Sequence, residues 1–107
     1  QPVAVSGRRV RPSTVVEADM RVNKYVLDLL PIQKVRMPPG ARVLHVGVSA
    51  GYPAVWALVD GILPATDEHL IELYGTGQQL IEPHQHLDHL GTVQIDSYVW
   101  HLFHRQA

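Results

Sequence analysis

Proline and glycine divide this chain into apolar runs that are too short for stable helices. From Arg21 onward, the runs end at Pro31, at the turn Pro38–Gly40, at Gly51 and at Gly61. An isolated helix needs about 12–15 residues, whereas strands are typically about 5–6 residues long. Short runs separated by turn residues are typical of a small sandwich or barrel. We therefore predict an all-β domain of mainly antiparallel strands, in a sandwich or barrel-like form.

Two parts of the sequence have the pattern of a β-hairpin. Residues 41–49 and 54–60 flank a loop that contains Gly51, and residues 92–96 and 98–104 flank the pair Asp96-Ser97. The first two strands are apolar on both faces, with Val43 and His45 predicted on one face of the first strand, and this pattern is typical of central strands that are covered on both sides. In so small a domain we expect the second cover to be another subunit, so the pattern predicts a homo-oligomer.

The first 19 residues differ from the rest of the chain in pattern and in charge. They hold no sustained apolar periodicity, and residues 1–16 carry Arg8, Arg9 and Arg11 without an acidic residue, a charge of +3. Residues 20–107 carry six basic and eight acidic residues, a charge of −2. We predict an extended basic arm over residues 1–19, with the three arginines as its candidate contacts, and a single domain over residues 20–107.

Composition excludes several classes of function. The chain has no cysteine, which excludes disulfide scaffolds, thiolate zinc sites, iron–sulfur clusters and cysteine nucleophiles. Its net charge of −1 argues against a protein that grips nucleic acid by bulk electrostatics. No apolar window has the length of a membrane span, and the first residues lack an apolar signal core, so we expect a protein that stays in the compartment where it is made.

The residues give little support to an enzyme. No serine lies in a nucleophile-elbow sequence, and no pair of acidic residues is placed for acid–base catalysis. Gly75-Thr76-Gly77 lacks the lysine and the following helix of a phosphate-binding loop, so we predict a tight turn there. We therefore expect a protein that works by binding, with no cofactor.

One short segment could bind a metal ion. His84, His86, Asp88 and His89 spell H-x-H-x-D-H, which is similar to the first metal-binding motif of the metallo-β-lactamase superfamily. Imidazole and carboxylate groups are good zinc ligands and could hold the nucleophilic water of a hydrolase. That superfamily needs further ligands far downstream, however, and only 18 residues follow His89. An incidental surface loop is the favoured interpretation, and structural zinc or nickel binding stays open.

Large apolar side chains concentrate in the two predicted hairpins. The candidates for the core or for a subunit interface are Trp56, Leu58, Tyr98, Trp100 and Phe103. Alanine neighbours of Trp56 leave room for its indole to lie across the strand. A ligand-stacking platform is the alternative for these aromatic residues.

Six short motifs, in order and spacing, resemble those of a family of small bacteriophage-encoded proteins of unassigned function. They are KYVLDL (24–29), MPPGARVLHVGV (37–48), VWALVD (55–60), YGTG (74–77), LGTVQ (90–94) and VWHLF (99–103). The resemblance covers about residues 21–104 and excludes the arm and the histidine-rich stretch. It implies a phage protein that is made in a bacterial host, and it supplies no catalytic residues.

These observations lead to one functional hypothesis and two alternatives. The first is a non-enzymatic phage accessory protein that binds a host protein or a small ligand as a homo-oligomer in the host cytoplasm, in host takeover or counter-defence. The second is a capsid or tail accessory of the virion that docks through its arm, because a basic, proline-containing arm suits contacts along neighbouring subunits. The third is a metal-dependent hydrolase that uses the H-x-H-x-D-H segment.

Overall fold

A computed structural model describes residues 17–106 as seven β-strands and one short 3-10 turn. The strands are β1 (Met20–Val26), β2 (Ile32–Met37), β3 (Arg42–Ser49), β4 (Tyr52–Asp60), β5 (Asp67–Gly75), β6 (Leu87–Ile95) and β7 (Tyr98–Arg105), and the turn is His84–His86. Arg8, Arg9 and Arg11, and with them most of the predicted arm, lie outside the described residues. Within residues 17–106, no helix has the length and apolar character needed to cross a membrane.

The strands form two antiparallel sheets that pack against each other. The three-stranded sheet has the order β1-β4-β3, and the four-stranded sheet has the order β2-β5-β7-β6. The prediction of an all-β, mainly antiparallel fold is therefore confirmed, in its sandwich form. Both predicted hairpins are present as β3–β4 and β6–β7.

The core lies between the sheets and comes from alternating residues of the paired strands. The buried apolar side chains are Leu27, Met37, Val55, Ala57, Val59, Ile71, Leu73, Val93 and Leu102. In β5 the buried core residues are Ile71 and Leu73, as a two-residue period requires. Trp100 of β7 packs against this cluster from one end.

The two apolar faces of β3 predict a central strand, and for β3 this prediction was wrong. It lies at the edge of its sheet, and a register shift between Val43 and His45 leaves Leu44 as an extra, bulged residue. The bulge places Val43 opposite Ala57 and His45 opposite Trp56, on different faces, so the prediction that Val43 and His45 share a face was wrong.

A long connection from β5 to β6, residues 76–86, crosses over β7 on the outer side of the four-stranded sheet. We call it the crossing segment. Arg105 of β7 donates hydrogen bonds to the backbone carbonyls of Ile81 (2.7 Å) and Pro83 (2.9 Å). The amide of Ile81 donates to the hydroxyl of Tyr74 at 3.1 Å. These contacts fix the segment on the sheet and bury the residues beneath it.

Candidate functional site

The outer face of the three-stranded sheet is the candidate binding surface. Cross-strand partners in an antiparallel sheet point to the same side, and Val55, Ala57 and Val59 point into the core, so their neighbours in β4 point outward. The members of this outer face are Met20, Val22, Lys24, Val26, Arg42, His45, Gly47, Ser49, Tyr52, Ala54, Trp56, Leu58 and Asp60.

Two long side chains lie across the middle of the outer face. The indole of Trp56 lies over Gly47, where an added Cβ would come within 3.2 Å of the ring, and against His45, with ring centroids 5.4 Å apart. Lys24 of β1 reaches over β4 to donate a hydrogen bond to the Ser49 hydroxyl at 2.9 Å. The small residues beneath leave room for both side chains to lie along the sheet.

The outer face remains apolar and accessible toward both of its ends. Met20 is 54% exposed and Val22 52% at one end, and Val26 is 53% exposed and Tyr52 47% at the other. Exposed apolar groups that are contiguous, rather than scattered singly, mark interaction sites on soluble proteins. Polar residues, among them the exposed Arg42, border the patch, as in the rim of a protein interface.

The structure distributes the predicted aromatic set over three surfaces. Trp56 and Leu58 lie half-buried on the outer face of the three-stranded sheet, whereas Trp100 packs on the core. Tyr98 is 67% exposed beside a surface cavity of about 430 Å³ that Trp100 also lines. Phe103 lies on the outer side of the four-stranded sheet, against Tyr74 and His89. Of this set, Trp56 and Leu58 share their surface with the exposed apolar residues Met20, Val22 and Val26.

The four candidate metal ligands point to different places. His84 contacts the Glu82 carboxylate at 2.9 Å, and His86 is exposed on the 3-10 turn. Asp88 and His89 are on opposite sides of β6, because Asp88 is paired with His104 and His89 with Phe103. Among residues 17–106, no three histidine, aspartate or glutamate side chains converge as metal ligands would.

A chain of hydrogen bonds that the sequence did not predict crosses the outer side of β6 and β7. The hydroxyl of Thr76 lies 2.8 Å from Nε2 of His101, whose Nδ1 lies 3.0 Å from the hydroxyl of Thr92. That hydroxyl lies 3.2 Å from Nε2 of His89. The cross-strand pairing of Thr92 with His101 was the signal available in the sequence. These hydrogen bonds fix the turn at Gly75–Gly77 to the sheet. Within the turn, Gly77 has a φ of 88°.

A second unpredicted cluster lies beneath the crossing segment. Glu72 is 1% exposed. Its carboxylate accepts hydrogen bonds from Arg105, one of whose terminal nitrogens lies 3.1 Å away, and from the hydroxyl of Tyr74. Burial alone would raise the pKa of Glu72, but the hydrogen bonds from Arg105 and Tyr74 outweigh it and hold the pKa below its ordinary value. Burial and the neighbouring carboxylate raise the pKa of Tyr74. The cluster is a buried ion pair that anchors the crossing segment.

Two histidines form a pair on the inner side of the four-stranded sheet. Nδ1 of His69 and Nε2 of His104 are 3.2 Å apart, and Nε2 of His69 is buried without a hydrogen-bond partner among the described residues. Burial lowers the pKa of His104, the adjacent His69 lowers it further, and the carboxylate of Asp88 offsets part of the effect. The ring of His104 is therefore accommodated best in its neutral form.

Comparison with known proteins gives a family and nothing more specific. A family model described as a domain of unknown function, DUF7352, matches residues 19–107, which is most of the chain. Neither the curated proteins nor the solved structures gave a match. The function therefore has to be inferred from the surfaces described above.

Proposed function

Because the chain belongs to the DUF7352 family of domains of unknown function, we propose a function from its own surfaces. The protein is a non-enzymatic binding protein that acts as a homo-oligomer and recognises a partner protein through the outer face of its three-stranded sheet. The observation that carries this proposal is the set of half-exposed apolar side chains on that face.

The extent of the outer face favours a protein partner over a small ligand. Its exposed ends, at Met20 and at Val26, are separated by the length of β1, about 20 Å at about 3.4 Å per residue. A partner that covers both ends must span that distance, and small-ligand sites are concave pockets rather than strand-length strips. The cavity beside Tyr98 is the corresponding site for the small-ligand alternative.

We further propose that the partner is a host protein and that the chain is a bacteriophage product acting in the host cytoplasm, in host takeover or counter-defence. The order and spacing of the six sequence motifs support this origin. The virion alternative depends on Arg8, Arg9 and Arg11, which lie outside the described residues. Mass spectrometry of purified particles separates the two hypotheses: stoichiometric presence supports the virion role, and absence excludes it.

The metal-dependent hydrolase is not favoured. Its four candidate ligands do not share a side of the sheet, and His84 is held by Glu82. Metal analysis of untagged protein after dialysis tests the hydrolase directly, since a two-metal site binds tightly enough to survive. About two zinc ions per chain would revive it.

Site-specific photocrosslinking tests the proposed function. A photoreactive phenylalanine analogue replaces Val26 on the outer face and, as a matched control, the exposed Gln94 on β6 of the other sheet. Both full-length variants are irradiated in the bacterial cells that produce them. We expect one defined host protein to crosslink from position 26, with or without a second copy of the chain, and not from position 94. Equal crosslinking from both positions, or crosslinking from position 26 to a second copy alone, would contradict partner recognition by the outer face.

A further inference from the structure

We propose that β1 is an open sheet edge at which two copies of this chain pair antiparallel, so that their three-stranded sheets join into one sheet of six strands. The inference rests on the proposed homo-oligomer and specifies the interface that forms it. It follows from a comparison of the four strands that lie at sheet edges, β1, β2, β3 and β6.

Three of the four edges carry features that oppose pairing with another chain. Pro31 precedes β2, and the side chains of Lys34 and Arg36 on that strand are 68% and 64% exposed. Exposed charges and proline are the usual protection of edge strands. The edges of β3 and β6 each contain a bulge and face one another, since a Cβ added to Gly91 would lie 2.8 Å from Cβ of Val46.

The strand β1 lacks proline and a bulge, and its two exposed basic residues, Arg21 and Lys24, are each bonded to a residue of their own sheet or of the residues just before it. Its register with β4 is regular over all seven residues, and it contains no proline and no bulge. Its outward side chains Met20, Val22 and Val26 are each more than half exposed. The remaining outward residue, Lys24, is drawn back over its own sheet to Ser49 and away from the open edge. Among the described residues, β4 is the only strand hydrogen-bonded to β1.

The sequence of β1 is self-complementary in a symmetric pairing, which favours a second copy as the occupant. A two-fold axis at Asn23 places Met20 opposite Val26 of the second copy, so apolar side chains meet at both ends. It also places Val22 opposite the second copy's Lys24 and Arg21 opposite the second copy's Tyr25. No two like charges face each other, and Arg21 already has Asp19 as its ion-pair partner.

This pairing explains how the oligomer builds the binding surface. Joining the edges makes the two outer faces continuous across six strands, with the exposed residues of both β1 strands at the centre. Edge pairing also satisfies the backbone groups on the side of β1 away from β4, which have no strand partner among residues 17–106. The apolar strip available to a partner protein then doubles in width.

Sedimentation velocity of the full chain over a range of concentrations tests the pairing. Wild type is expected to show a monomer–dimer equilibrium. Val22→Lys places like charges opposite the second copy's Lys24 twice in the dimer, and we expect it to weaken dimerisation at least tenfold. Ile32→Lys is the matched control on the protected edge of β2, where the native residue is 43% exposed, and we expect it to leave the equilibrium unchanged.

The outcomes separate the edge pairing from the proposed function. Circular dichroism confirms that each variant is folded, and Val26→Lys provides a second test at the other end of β1. A dimer that survives both β1 substitutions overturns the edge pairing while the homo-oligomer remains. A monomer at every concentration overturns both the edge pairing and the homo-oligomer. That outcome holds whether residues 1–16 of the same chain or a partner protein takes the edge of β1.

Discussion

Replacing Arg105 with alanine should destabilise the protein more than any surface charge substitution. The change leaves the carboxylate of Glu72, 1% exposed, without its cation, and it removes the hydrogen bonds to the carbonyls of Ile81 and Pro83. The side chain of Arg105 is only 14% exposed, so water does not replace these contacts without opening the crossing segment. Breaking a buried pair by removing one partner costs about 3–5 kcal/mol, out of a total of roughly 5–15 kcal/mol for a domain.

Urea unfolding followed by tryptophan fluorescence measures this loss. The matched control is Arg36→Ala, which removes a 3.0 Å ion pair with Glu68 whose side chains are 64% and 44% exposed. Exposed pairs contribute about 0–1 kcal/mol, so the control should unfold at nearly the wild-type midpoint. The double variant Arg105→Met with Glu72→Leu should recover much of the loss, because an apolar pair leaves no unpaired charge. Equal, small losses in Arg105→Ala and Arg36→Ala would refute the role assigned to the buried pair.

Three further predictions concern the rest of the sandwich. Because the pKa of His104 is lowered in the folded protein, the unfolded chain binds a proton at this histidine at a higher pH than the folded chain does. The free energy of unfolding should therefore fall as the pH drops below the ordinary histidine pKa of 6.5. His104→Asn should make this fall smaller in thermal melts between pH 7 and 5. Gly91→Ala forces a Cβ into the opposite sheet and should cost about 1–3 kcal/mol in urea unfolding, whereas Gly75→Ala, whose Cβ meets nothing closer than 4.0 Å, should cost less than 1. Trp56→Ala should leave a folded protein, with a free energy of unfolding about 1–3 kcal/mol lower in chemical denaturation, because the indole is half-buried on the outer face. Complete unfolding of this variant at room temperature would contradict that placement.

The fold class could be predicted from the sequence because most strands keep a two-residue alternation between turn residues. Where the alternation is interrupted, the prediction failed for a physical reason. The strand β6 was expected from Thr92, but it begins at Leu87, because a register shift between His89 and Gly91 breaks the period. The same kind of irregularity at Leu44 reversed the predicted face of His45. A bulge depends on the partner strand and is not visible in one strand's own sequence.

The candidate site was only partly predictable. The sequence marks Trp56 and Leu58 as large apolar residues of one strand, and the structure places both on the outer face. The buried state of Glu72 could not be predicted, because its position in β5 is a solvent-facing one until the crossing segment covers it. The contribution of β1 could not be predicted either, since the exposure of an edge follows from strand order and not from strand composition.

Amide hydrogen exchange along β1, measured residue by residue by NMR at two protein concentrations, tests the interaction surface most directly. If two copies pair at this edge, the amides of Met20–Val26 that point away from β4 should exchange more slowly as the concentration rises, by the factor expected from the dimer fraction. The exposed-edge amides of Ile32–Met37 serve as the internal reference and should not change. Exchange along β1 that is equally fast at both concentrations would contradict the edge pairing and, with it, the six-stranded binding surface.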